Sequence, residues 1–157
     1  MSKEKNLKIA IKYGVPTPET CEILMFQKPT NYCWYYNKEA FQGLSANTYY
    51  LAIMTYDDMR NIFVLKNQVK MYSENITTAP QMHEIAQNLP NYRVIDGEEY
   101  YLALKSYSQK EEDSMFYLQY VQRCNPIITK DYFPCWDNNF AETYATMYID
   151  LKERGLL

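Results

Sequence analysis

Four glycines in a chain of 157 residues leave little material for a phosphate cradle, and neither a Gly-x-Gly-x-x-Gly fingerprint nor a phosphate loop occurs. A nucleophile elbow and a His-Glu-x-x-His helix are absent too, so the common motif-bearing enzyme classes lose their support. The one histidine, His83, has no nearby sequence partner, and Cys21, Cys33, Cys124 and Cys135 contain no Cys-x-x-Cys pair. No metal and no cofactor are expected, and the thiols read as reduced, mostly buried small hydrophobes. Basic charge is scarce: 16 Lys and Arg against 19 Asp and Glu give a net charge of -3, which offers no broad positive field to a phosphate backbone. A partner of duplex nucleic acid is therefore disfavoured. Long apolar runs are missing as well. The patch Ile9-Ala10-Ile11 behind the N-terminus is too brief for a signal-peptide core or a membrane span. A cytoplasmic location without a membrane partner follows as the expectation, and the sequon Asn75-Ile76-Thr77 then carries no sugar.

What the chain does contain is apolar mass: 47% apolar and 22% charged residues are the proportions of a folded protein with a buried core. Its length favours a single domain over 1–157, with 1–6 disordered. Tyrosine is unusually frequent at 17 copies, which suits half-buried strands, where the ring packs while the hydroxyl reaches water.

Three helices are signalled. Thr17-Pro18-Glu19-Thr20 supplies a hydroxyl cap, a proline at the first helical position and an early acid, for a helix reaching about 26. Thr78 with Gln81 forms a capping-box pattern ahead of Met82, Ile85, Ala86 and Leu89, and Pro90 ends that stretch. Asn139 with Glu142 opens the third, whose stripe is Ala141, Tyr144, Ala145, Tyr148 and Leu151. Gly155 takes its terminating position, and Leu156 and Leu157 are placed to fold back on the stripe.

Strands are expected between the helices. Segments 49–56 and 62–65 flank the polar loop Asp57-Asp58-Met59-Arg60-Asn61, and 92–95 joins 98–107 through Asp96-Gly97, a two-residue hairpin turn. After the charged loop 109–113, segment 114–123 returns antiparallel. The fold class is α+β, an antiparallel sheet of about four to six strands with three helices, the C-terminal one packed on the sheet.

The stretches Val15-Pro16-Thr17-Pro18-Glu19-Thr20, Thr78-Ala79-Pro80 through Leu89-Pro90, and Asn139-Phe140-Ala141-Glu142 through Leu157 resemble a group of small uncharacterised proteins of gut Bacteroidales and their crAss-like phages. The resemblance implies a mobile-element setting, and hence action in the host cytoplasm. It brings no catalytic residue with it.

Candidate chemistry narrows to aromatic clusters. His83 falls one position off its apolar stripe, beside Glu84 and Gln87, and reads as a solvated helix histidine rather than a base. Asp57-Asp58 and Glu111-Glu112-Asp113 fall in turns, where acids solvate well. Tyr32-Cys33-Trp34-Tyr35-Tyr36 and Tyr132-Phe133-Pro134-Cys135-Trp136-Asp137 concentrate flat side chains, with Lys130 beside the second, and Pro134 argues for a loop there rather than a central strand. Such a loop either plugs the open end of a core or forms a stacking platform. The binding candidates are accordingly Trp34, Tyr36, Lys130, Tyr132, Phe133 and Trp136. The preferred reading is a non-enzymatic binding protein acting on a host protein or small ligand. The alternative is a nucleotide-binding or nucleotide-degrading protein, with Trp34 and Trp136 stacking the base and Lys130 or Arg123 facing phosphate. Homo-oligomerisation is left open.

Overall fold

A computed structural model describes residues 3–26, 30–40, 45–53, 75–107, 115–122, 132–137 and 139–157, with the backbone alone at 105–107 and 132–136. The fold is α+β, and its contacts gather into two compact units, Met1–Gln81 and Met82–Leu157.

In the N-terminal unit, α1 (Lys3–Tyr13) and α2 (Pro18–Leu24) cover one face of a sheet ordered β2-β1-β3, made of β1 (Tyr32–Asn37), β2 (Thr48–Ile53) and β3 (Ile76–Ala79), with every pairing antiparallel. Strand alternation puts Tyr32, Trp34 and Tyr36 on the helix side, opposite Ile53, Leu51 and Tyr49 in register. Trp34 then packs with Ala10, Val15, Cys21 and Ala79 in a fully buried cluster. On the other face Cys33, Tyr35 and Ala52 are buried, with Ile76 against them.

The chain enters α1 at Lys3, where disorder was expected over the first six residues. Asn6 and Ala10 form its buried side, and the helix closes with Gly14 N–H donating to Ile11 O and Val15 N–H to Ala10 O, a Schellman end. α2 starts at Pro18 as expected but without the hydroxyl cap, because Thr17 Oγ1 donates to Thr20 Oγ1 at 3.2 Å instead of capping backbone. It ends at Leu24 when Met25 turns left-handed at φ 48°.

The second expected helix start is replaced by a strand. Pro80 drives the residue before it out of the helical region, so Ile76-Thr77-Thr78-Ala79 stays extended and pairs with β1. Thr78 is thus a strand residue whose hydroxyl donates to Phe26 O, and α3 (Met82–Ala86) begins beyond the proline.

The C-terminal unit has α3, a sheet ordered β4-β5-β6-β7, and α4 (Phe140–Glu153), the strands being β4 (Tyr92–Ile95), β5 (Glu98–Tyr107), β6 (Met115–Gln122) and β7 (Tyr132–Asp137). The β4–β5 hairpin turns on Asp96 (φ 52°) and Gly97 (φ 82°), the paired positive φ that a two-residue turn with matching twist requires. α4 packs on β6, β7 and α3, closing a core of Leu89, Tyr100, Leu118, Tyr120, Met147 and Leu151. Tyr120 is buried there, and its hydroxyl donates to Pro90 O at 2.7 Å.

Asn139 caps α4, its Oδ1 accepting from Ala141 N–H at 3.0 Å. The reciprocal half of the expected pair falls to another acid: Asn139 N–H donates to Asp137 Oδ1 at 2.7 Å. Gly155, at φ 68°, ends the helix through Leu156 N–H donating to Leu151 O, but Leu156 and Leu157 point into solvent instead of folding back. Arg93 Nη1 donates to Leu156 O at 3.1 Å and fixes the tail that way.

The aromatic stretch expected as a loop is the strand β7. Proline is admissible because β7 pairs only with β6 among the described strands, and the register breaks between Leu118 and Tyr120, leaving Pro134 without a ladder partner. The expected strand 62–65 and the loops 57–61 and 109–113 lie outside the described residues.

Candidate functional site

The end of α2 and β3 border an open concave feature of the N-terminal unit. Cys21 and Leu24 turn inward and are buried, which forces Glu22 and Ile23 outward, and Ile23 is 63% exposed. The left-handed Met25 then swings the chain so that Phe26 is buried while Met25 itself stays exposed. Thr78 of β3 donates to Phe26 O and holds that turn beside the strand. Between them lies an open cleft of about 420 Å³, bordered by Glu22, Met25 and Phe26 from the helix end and by Ile76, Thr77 and Thr78 from β3. Cys21 completes the border, its thiol directed at Pro16 O.

Glu22 also belongs to a polar and aromatic network on the sheet. Its Oε1 accepts from the Tyr49 hydroxyl at 2.6 Å. The Tyr49 ring lies 4.9 Å from that of Tyr36, whose hydroxyl donates to Asn47 Oδ1 at 3.1 Å. Partial burial, then the hydrogen bond to Glu22 and the negative charges of Glu22 and Glu19, push the Tyr49 hydroxyl well above its ordinary range. Tyr49 therefore stays a proton donor to that carboxylate.

The sequence-predicted residues fare differently from one another. Trp34 has no exposed surface, and its indole N–H donates to Pro16 O at 2.9 Å, so it has no open face for a base and serves as core. Tyr36 is half-buried and joins the Tyr49–Glu22 network. Tyr132, Phe133 and Trp136 place their backbone in β7 of the other unit, with Tyr132 opposite Tyr120 and Trp136 opposite Tyr117. Lys130 and Arg123 lie outside the described residues, as do Cys124, Asp57-Asp58 and Glu111-Glu112-Asp113. His83 is exposed on α3, as its position off the stripe implied.

Glu22, Tyr49 and Met25 were not singled out from sequence. In the sequence Tyr49 falls within a predicted strand and Glu22 within the first predicted helix, and neither carries a further signal. The pairing of β1 with β2, which sets Tyr49 opposite Tyr36, makes them a site.

Cys21 and Cys33 are buried free thiols. Among the described residues no group of three or more His, Cys, Asp or Glu is placed to hold a metal ion, and no helix is long and apolar enough to cross a membrane. Comparison of the chain with known protein families, with curated proteins and with solved structures gives no match in any of the three.

Burial pushes the Cys33 thiol up from 9.0 to about 12, against a smaller opposing effect of a backbone hydrogen bond at Ala52. The folded state therefore holds this proton when the unfolded chain has lost it. Its stabilisation is complete below pH 9.0 and is lost as pH rises towards about 12. The expected slope across that window is about 1.4 kcal/mol per pH unit from this one group. Urea midpoints taken at several pH values for the protein and for Cys33→Ala check it. The variant should show a shallower alkaline decline, and parallel curves would remove Cys33 as the cause.

Proposed function

We propose that the protein is a non-enzymatic binding protein of a phage or other mobile element, acting on a host protein or small ligand in the cytoplasm. The observation that carries the binding reading is the cleft between the end of α2 and β3. It is bordered by Met25 and Phe26 at the end of α2, by Ile76, Thr77 and Thr78 of β3, and by Glu22. A concave apolar surface with a few convergent polar groups is the usual form of a ligand site. The mobile-element setting rests on the resemblance of the helix-start segments.

A nucleotide is a poor occupant of this cleft, because Glu22 and Glu19 oppose a phosphate and Trp34 is enclosed in the core. A fragment screen read by ¹⁵N NMR tests the binding reading. Neutral and charged fragments that bind should shift the amides of Glu22, Met25 and Ile76 together. Hits confined to amides far from these three would dismiss the cleft.

A further inference from the structure

We propose that the open edge of β4 pairs with the same edge of a second copy of the chain, antiparallel about a two-fold axis at Arg93, so that Tyr92 of each copy stands opposite Val94 of the other. This goes beyond the cleft reading and does not depend on it.

The backbone argument starts from the hairpin. The two-residue turn at Asp96-Gly97 makes Ile95 and Glu98 a hydrogen-bonded pair, and bonded and non-bonded pairs then alternate along the ladder. Leu102 N–H donates to Asn91 O at 3.0 Å, in phase with that alternation. Asn91, Arg93 and Ile95 therefore direct their N–H and C=O groups at β5, while Tyr92 and Val94 direct theirs away from it. β4 pairs with β5 alone among the described strands, so these outward donors and acceptors form an open edge.

The side chains leave that edge unguarded. Alternation puts Arg93 and Ile95 on the face that α4 covers, where Ile95 packs against the core and the Arg93 guanidinium lies over the Tyr120 ring and donates to Leu156 O. The one cation of the strand is thus drawn inward, away from the edge that a charge would otherwise protect. Tyr92 and Val94 lie on the other face, 43% and 59% exposed, with the Tyr92 ring 5.4 Å from that of Tyr101.

A second copy complements this edge. In the register through Arg93, the outward N–H and C=O groups of Tyr92 and Val94 in one copy meet those of Val94 and Tyr92 in the other, and none is left over. Each exposed ring then meets an exposed β-branched side chain, a favourable cross-strand pair. The two Arg93 residues face each other at the axis, but each guanidinium is drawn away over its own Tyr120. Charge fits the antiparallel sense as well. Asp96, Glu98 and Glu99 are exposed at the turn end of β4, and the two-fold carries them to the Pro90-Asn91 end of the other copy, which has no acid. A parallel pairing would set the acids of both copies side by side. The contact is isologous and closes at two copies.

Sedimentation velocity of the full chain at rising concentration, up to about 1 mM, should show a reversible monomer–dimer equilibrium of the weak kind that a small interface gives. Over the same range, hydrogen exchange read by ¹⁵N NMR should slow about fivefold at the Tyr92 and Val94 amides, whereas the Arg93 and Ile95 amides are protected throughout by β5. Val94→Pro removes an outward N–H and no bond to β5, and should abolish the dimer with circular dichroism unchanged. Val94→Lys keeps the backbone donor at an exposed position and adds a charge, so it carries the test if the proline disturbs the strand. It should weaken dimerisation at least about tenfold. A chain that stays monomeric at every concentration overturns the proposal. So does a dimer that survives Val94→Lys or leaves the Tyr92 and Val94 amides exchanging as in the monomer, and so does assembly that grows beyond two copies.

Discussion

Removal of residues 139–157 should leave the C-terminal unit unfolded, with the loss of dispersed amide resonances and of most β-sheet circular dichroism from that unit. α4 contributes Met147 and Leu151, both fully buried, to the cluster that includes Leu118 and Tyr120. Ala141, Thr143 and Ala145 are buried along the same helix. Burying a large apolar side chain stabilises by about 1.5–3 kcal/mol, and the deletion removes two of them while stripping the cover from Tyr100, Leu118 and Tyr120. Losses on that scale approach the about 5–15 kcal/mol by which domains are stable. The single-domain expectation adds a second result, that the N-terminal unit melts in the same transition. A truncated chain whose sheet resonances stay dispersed would show that α4 is dispensable cover. Survival of the N-terminal unit alone would show that the two units fold independently.

The C-terminal unit was the more legible of the two, for a local reason. Asp96-Gly97 sets a hairpin through the φ angles of two adjacent residues, and Asn139 to Gly155 marks both ends of α4. Information of that kind sits within a few residues. The N-terminal unit is decided at longer range. Thr78 and Gln81 have the spacing of a capping box, yet Ile76 to Ala79 pair with β1, more than forty residues earlier in the chain, and Pro80 keeps Ala79 extended. β-branched residues beside a proline favour the strand once a partner strand is present.

The candidate site was less legible than the fold. Aromatic abundance points to Trp34 and Tyr36 among the binding candidates, but alternation along β1 gives these two the same face and different fates. Trp34 lies under the helices, and Tyr36 lies beyond them against Tyr49. Which ring is covered depends on where α2 stops, and that is set by the left-handed Met25, a conformation that a methionine does not announce. Pro134 misled in the opposite direction. It argues against a central strand, and β7 meets that rule by pairing with β6 alone among the described strands, with a register break.

Trp34→Ala should destabilise the N-terminal unit by about 3–5 kcal/mol, the range for emptying a large aromatic site in a core. The buried neighbours are small side chains, with the larger Ile9, Tyr32, Tyr49 and Leu51 packed at the margin of the cluster. Ala10, Val15, Cys21 and Ala79 cannot reach across the space that an indole leaves, so the cavity stays open instead of collapsing. A second contribution comes from Pro16, whose carbonyl accepts from the indole N–H at 2.9 Å and would lose that donor inside the core. Trp34→Phe separates the two parts, since it keeps most of the ring volume and removes the donor. Its loss should be about 1–3 kcal/mol. Urea denaturation of the three proteins, followed by circular dichroism, reads both values. Were Trp34 a stacking surface for a ligand, the alanine variant would keep the parent's midpoint and lose only binding. A midpoint shift in Trp34→Ala smaller than that in Trp34→Phe would also contradict the core assignment, because the first removes the whole ring with the hydrogen bond and the second the hydrogen bond with only part of the ring volume.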